Sequence, residues 1–289
     1  MDNQQILAYF NTTSDGAYSN YNAFFSSLNK SSNNMQFQVN WTWSKAIGTQ
    51  GINQQYLYAS NSPYNLGLDY APEVFDHKNV LNLIYVYKLP FGNGQAHKSG
   101  NSFVDHLIEG WVVSGIFNAY SGLPLSVNCD GDMGTAYFLL GSGAPCASSV
   151  NLSGLAGMHT GVGTGTSNNV NDVFLSGTSV GGGTGLNIFA NPAAVLSNVT
   201  PVNIASTTQL PWGQLRMIPS WNVDIGVAKS ISFRERLRLE FRADFLNVFN
   251  QVQFATPSLD TVFAGSTFGQ LNTQINAPRN ILIGGRLVF

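Results

Sequence analysis

Charge is scarce in this chain. Its 13 Lys+Arg and 15 Asp+Glu make up 10% of 289 residues, against about 25% in ordinary soluble domains. Net charge is −2, so nothing calls for nucleic acid as a partner. Long apolar runs are also missing. None approaches the ~18 residues that a spanning helix needs. That excludes a helical membrane protein but not a membrane barrel, whose signal is alternation. The opening MDNQQILAYFNTTSDG lacks a basic region followed by an apolar core, so it does not read as a signal peptide. The expectation is a protein kept inside the cell or a piece of something longer. Cysteine is limited to Cys129 and Cys146. A disulfide between them needs an oxidising compartment, and two reduced thiols are an equal reading. The four histidines, His77, His97, His106 and His159, show no ligand spacing, and no metal or cofactor is expected.

What the chain does have is apolar residues (44%), aromatics (12%) and 30 glycines, a composition that excludes a disordered chain. The stretch MQFQVNWTWSK (35–45) alternates strictly. Met35, Phe37, Val39, Trp41 and Trp43 are apolar, and Gln36, Gln38, Asn40, Thr42 and Ser44 are polar. It reads as one strand with two unlike faces, whose oily side must meet a sandwich core or a bilayer. Tyr21, Ala23 and Phe25 repeat the pattern, interrupted by Phe24. Trp111 to Ala119, Trp221 to Val227 and Ile281 to Phe289 repeat it as well. In RERLRLEFRADF (234–245), Leu237, Leu239, Phe241, Ala243 and Phe245 share one face, with Arg236, Arg238, Glu240, Arg242 and Asp244 on the other. Such an ionic row needs water, outside a sandwich or inside a wet barrel lumen.

Seven strands follow, at about 18–29, 34–45, 76–89, 109–121, 219–229, 234–249 and 279–289. Most exceed the ~5–6 residues of ordinary strands and match the ~9–11 of a tilted membrane strand. Connections run short (30–33), long (46–75), medium (90–108), very long (122–218), short (230–233) and long (250–278). Outer-membrane barrels alternate in this way, with short periplasmic turns and long outside loops. The medium connection, with its Pro90–Gly94 turn, fits least well. Trp41, Trp43, Trp111 and Trp221 are placed near strand ends on apolar faces, as interfacial girdles require; the plain alternative is core tryptophans. Together these favour the bilayer: an all-β, antiparallel transmembrane barrel segment with long extracellular loops.

The ending NILIGGRLVF (280–289), with Ile281, Ile283, Gly285, Leu287 and a terminal Phe289 in alternation, looks like the signal that outer-membrane barrels show to their assembly machinery. Several stretches resemble the TonB-dependent receptors, in particular the Oar-like type with a carboxypeptidase-regulatory domain. They are SNYNAFFSSLNK (19–30), MQFQVNWTWSKAI (35–47), VYKLPFGNG (86–94), EGWVVSGIFNAYSGLPLSV (109–127), residues 221–254, TFGQL (267–271) and APRNILIGGRLVF (277–289). Residues 129–218 resemble nothing placeable. The resemblance implies a barrel of about 22 strands with a plugged lumen, opened by TonB through an N-terminal box, for uptake of siderophores, cobalamin, glycans or other large nutrients. Residues 1–289 would then be the C-terminal third or so of the barrel, without signal peptide, TonB box or plug. Seven strands cannot close so large a barrel, and an odd count leaves the two ends on opposite sides of the membrane. The implied partners are outer-membrane lipid, the rest of the barrel and plug, the barrel-assembly machinery, and TonB only through the missing N-terminal region. In that setting the ionic row would face the lumen, as a structural ladder or a contact to the plug.

No spacing supports an enzyme. Gly177-Thr-Ser179-Val-Gly181 fits G-x-S-x-G, but it lies in a Gly-rich loop and all four histidines precede it, contrary to the strand–turn–helix context and chain order required. Gly161–Gly165 and Gly181–Gly185 lack the following Lys-Ser/Thr of a phosphate loop. Asp130 and Asp132 offer too few oxygens for Ca²⁺ and read as a solvated turn. The fourteen glycines between 131 and 185 argue for a mobile loop, either a substrate lid or plain disorder. Asp76-His77-Lys78 is expected to open a strand at the outer rim as a hydrated patch. Two other classes stand as alternatives, a surface-exposed β-rich adhesin and a small outer-membrane barrel enzyme.

Overall fold

The computed structural model describes residues 16–49, 67, 70–92, 95–127, 129, 146–147, 174–176, 185–189, 192–201, 213, 215–234, 237–259 and 267–289. Seven long strands form one antiparallel meander, each paired to its neighbours in sequence. They are β1 (Ser19–Ser31), β2 (Met35–Gly48), β3 (Asn79–Lys88), β4 (Trp111–Tyr120), β5 (Ser220–Arg234), β6 (Leu237–Leu246) and β7 (Asn280–Val288). The two-residue strand Ala71–Pro72 extends the sheet beside the far end of β2. β1 and β7 are the two ends of the strand order and do not pair with each other, so the sheet is open.

All seven expected strands are present, and the boundaries differ in instructive places. Residues 230–233, read as a turn from sequence, continue β5 because Ile231 keeps the alternation. β5 ends at Arg234 and β6 begins at Leu237, with an irregularity in their pairing between Ser232 and Arg234. β2 runs three residues further than expected, since Ala46, Ile47 and Gly48 find partners in Tyr21, Asn20 and Ser19.

Register sorts the side chains into two faces. Ser26, Trp41, Leu81, Ala119 and Trp221 pair in succession from β1 to β5. They therefore lie in one row on one face, and with them go the odd-numbered residues of β2 to β7. That face carries Phe37, Val39, Leu83, Phe117, Val223, Ile225, Leu239, Phe245 and Ile283, and before the irregularity at the end of β5 its charges among the described side chains of the long strands are Lys30, Lys45 and Lys229. The opposite face carries Gln36, Gln38, Asn40, Asn82, Asn118, Asp224, Arg238, Glu240, Arg242, Asp244 and Arg286. In β1 the sequence reading chose the wrong side. Tyr21, Ala23 and Phe25 pair with Ala46, Ser44 and Thr42 on the polar face, whereas Phe24 and Leu28 pair with Trp43 and Val39 on the apolar one. The reason is tertiary: β1 is an edge strand exposed on both sides, so its own pattern is weak and β2 sets its register. On the apolar face Phe24 meets Trp41 edge-on at 5.9 Å. The ring of Tyr85 lies where a side chain on Gly115 would be, 2.6 Å from that position.

The medium connection is not a simple turn. It contains a helix, α1 (Ser102–Ile108), capped by Asn101, whose side chain accepts from the N–H groups of Phe103 and Val104. A second short helix, α2 (Pro192–Ser197), lies in the long connection. No described helix is long and apolar enough to cross a membrane.

Candidate functional site: the outer rim and its loop assembly

The long connections 49–78, 121–219 and 247–279 join strands at one end of the sheet, and the short connections 32–34 and 235–236 join them at the other. The continuous hydrophobic core of the molecule lies with the long connections. Leu125, Val127, Cys129, Cys146, Ile188, Phe189, Val195, Val199, Leu215, Met217, Leu259, Phe268 and Leu271 form one buried cluster, and none of them belongs to a long strand. Short pairings frame it: 124–125 with 215–216, 146–147 with 200–201, and 174–176 with 185–187. Cys129 and Cys146 are joined in a disulfide within this core.

Two of these connections share the core. Phe189 stacks on Phe268 at 5.5 Å. Ile188 N–H donates to Gly269 O (3.0 Å), and Leu271 N–H donates to Leu186 O (2.9 Å). The fully buried Asn187 donates to Phe268 O (2.7 Å) and accepts from Phe189 N–H (2.9 Å). Gly269 has φ +71, and a side chain there would strike Asn187 Oδ1 at 2.6 Å. The TFGQL stretch thus serves packing between loops.

The assembly is fastened to the sheet by a buried ion pair. Arg216 and Asp76 are both buried and bond through Nη2 and Oδ2. Asp76 Oδ1 accepts from Ala46 N–H at 2.7 Å. Arg216 Nη1 donates to Asp76 O (2.8 Å) and Gly122 O (3.1 Å). One pair therefore ties together the far ends of β2, β3, β4 and β5, with its charges satisfied by partners rather than by water. This corrects the hydrated-patch expectation for Asp76-His77-Lys78. Asp76 is enclosed, and His77 Nδ1 lies 2.5 Å from Ser121 O. At Gly122 a Cβ would stand 1.5 Å from Met217 O, so only glycine lets the two chains approach here. Burial pushes the Lys78 ammonium below its ordinary range. The nearby Arg216 and Lys45 add to that, and Asp76 opposes it.

On the polar side of the rim, Asn247 and Asn250 adopt positive φ (50° and 52°), a region asparagine tolerates better than most residues. Asn247 donates to Gln251 O (2.9 Å) and Ala277 O (3.1 Å), and accepts from Gln251 N–H (2.8 Å). Asn250 Oδ1 accepts from Arg279 N–H at 2.9 Å. This knot joins the exit of β6 to the entry of β7. Its signal in the sequence was the Asn-x-x-Asn spacing directly after an alternating strand.

Two clefts open at the rim. One, of about 330 Å³, is lined by Tyr18, Asn20, Tyr21, Glu73 and Phe75 among others, beside the free edge of β1. Its aromatic rings are exposed, and the ring of Tyr18 lies 5.1 Å from that of Tyr70, tilted by 30°. Glu73 is buried and desolvation raises its pKa. The other, of about 130 Å³, lies between His77, Ser121, Met217, Gln253 and Ile275. Rings and amides of this kind can bind a polar ligand by stacking and hydrogen bonding.

The remaining expected residues fall as follows. Arg238 pairs with Glu240 (3.0 Å) and Arg242 with Asp244 (2.8 Å) along the polar face of β6. Arg236 lies outside the described residues. Trp111 and Trp221 stand at the beginnings of β4 and β5, but Trp41 and Trp43 are mid-strand in β2, because β2 extends past them to Gly48. Ile281, Ile283, Gly285 and Leu287 share the apolar face of β7, and Phe289 follows it with 94% exposure. Asp130, Asp132, His159, Gly161–Gly165 and Gly177–Gly181 lie outside the described residues. Among the described residues no group of three or more His, Cys, Asp or Glu is placed to hold a metal.

A family model described as an outer membrane beta barrel domain matches residues 2–281. Neither curated proteins nor solved structures give a match.

Proposed function

This chain belongs to the outer membrane β-barrel domain family, and from that premise we propose that it is wall and outer loop assembly of a TonB-dependent receptor, taking part in uptake of a large nutrient. The observation that carries the reading is the open meander. Its long connections gather at one end into a packed, disulfide-closed assembly, while both edge strands keep a free side for further strands of a larger barrel. The resemblance of residues 19–47, 86–94, 109–127, 221–254 and 277–289 to Oar-like receptors supports the same reading.

In this reading the apolar face meets lipid and the ionic row of β6 faces the lumen. Trp221 and Lys229 mark its two limits on β5. The eight residue steps from one to the other give about 26 Å along the strand, or about 20 Å of height at a tilt of about 40°. That is close to the apolar band of about 25 Å in such barrels. Trp41 shares the ladder row of Trp221, so the two would lie along one girdle. The ligand would be held by the loop assembly and rim clefts, without catalysis.

An immunoblot of washed outer membranes with an antibody to residues 234–289 tests the receptor reading. The expected band lies far above 31.2 kDa, the mass of these 289 residues alone. A membrane band at 31.2 kDa would defeat the longer receptor.

A further inference from the structure

Lys229 stands on the apolar face of β5, level with Trp111 of β4 and Phe241 of β6. A bare ammonium there would face hydrocarbon at high cost. It is instead buried, and α1 is what covers it. Lys229 Nζ donates to Leu107 O and, at 3.3 Å, to His106 O, the last carbonyls of α1, and lies 5.0 Å from the centre of the Trp111 ring. Trp111 Nε1 donates to Leu107 O at 3.2 Å. Both anchors point from the apolar face, so the C-terminal end of α1 is held against that face, at the end of the sheet that also carries the short hairpins.

On the helix, Phe103, Val104, Leu107 and Ile108 fall on one arc and Asp105 and His106 on the other, by helical spacing. Asp105 is buried and accepts from Ser99 N–H at 2.7 Å, which holds its carboxyl below the usual range. His106 contacts Glu109 at 2.7 Å. The apolar arc has no such cover: Phe103 is 77% and Leu107 61% exposed.

We propose that α1 is an interfacial anchor whose Phe103–Val104–Leu107 arc enters the periplasmic leaflet and binds phospholipid at the boundary of headgroup and acyl chain. The occupant is fixed by continuity. The arc adjoins the face that meets lipid in this barrel, at its periplasmic end, and Lys229 would otherwise interrupt that face. Amphipathic helices that lie in a membrane interface bury their apolar side about 5–10 Å into that zone. The inference rests on the lipid-facing reading of the apolar face.

Single cysteines carrying a nitroxide, in native outer membranes, test both and separate them. Cys129 and Cys146 are bonded to each other, so the label goes to the introduced thiol. The variants are Phe103→Cys, Leu107→Cys, His106→Cys and Ile283→Cys, all at exposed positions. Collision with oxygen, which concentrates in lipid, is compared with collision with a water-soluble nickel chelate. The expected oxygen-to-nickel ratio is severalfold higher at 103, 107 and 283 than at 106. A lipid-like ratio at 283 with water-like ratios at 103 and 107 overturns the anchor and leaves the wall reading standing. Water-like ratios at 283, 103 and 107 overturn both.

Discussion

The sheet and the loop assembly are stabilised by different means. The assembly is built like a small soluble domain. Its interior is apolar, its buried polar groups such as Asn187 are bonded, and a disulfide closes it. The sheet has no such interior, and Ala46 is the one buried hydrophobic residue within its long strands among those described. Its strands are held by ladder hydrogen bonds, and in the proposed reading by two solvents, lipid on one face and water on the other. The lesson is that burial alone would misjudge this wall. Residues such as Ile283 are exposed in the chain by itself, yet the outer membrane is where this family resides. The two regions meet at Asp76–Arg216, which lets the comparison be tested.

The largest effect is expected at that junction. Arg216→Ala leaves Asp76 buried without its partner, a loss of about 3–5 kcal/mol. Limited proteolysis of outer membranes should then show cleavage in 121–219 with the strands still protected. Loss of the strands as well would mean the two regions are not separable. Next comes the wall. Leu239→Arg on the apolar face should cost roughly 2–4 kcal/mol if the site is near mid-membrane, whereas Arg238→Leu on the ionic face should cost far less. Equal shifts in the urea midpoint would sink the assignment of faces. At the rim, Asn247→Ala removes bonds to buried backbone groups, for about 1–3 kcal/mol. Faster amide exchange should be confined to 247–251 and 276–280.

The smallest effect is a pH dependence. Glu73 has a raised pKa in the folded chain, so the native state binds more protons than the unfolded one above 4.5. Stability of the rim should be highest below that value and fall as pH rises through the raised one. Glu73→Gln should flatten this slope in thermal melts followed between pH 4 and 8, and an unchanged slope would assign it to another group.

Much of the wall was legible because alternation is local. β2 and β4 to β7 state their two faces within ten residues or so, whereas β3 carries Val80, Ile84 and Val86 opposite Thr42, Gln38 and Gln36 and is sorted only by its register; the lengths of the connections gave the side on which loops gather. β1 was misread because Phe24 and Phe25 are neighbours and only pairing with β2 decides between them. α1 was overlooked although Asn101 and the spacing of Phe103, Leu107 and Ile108 were present, since seven residues between two strands give little periodicity to read. Asp76 looked hydrated because its neighbours His77 and Lys78 are polar, and its partner lies 140 positions away.

The sequence by itself determined that this chain makes long two-faced strands with an ionic row and an apolar row. A period of two is fixed by the geometry of an extended backbone and needs no partner. Only the tertiary structure decided that the long connections share one core, that Cys129 meets Cys146, that Arg216 locks four strand ends, and that α1 covers Lys229. Each of these joins residues far apart in the chain, and bringing them together depends on which strands pair and in what register.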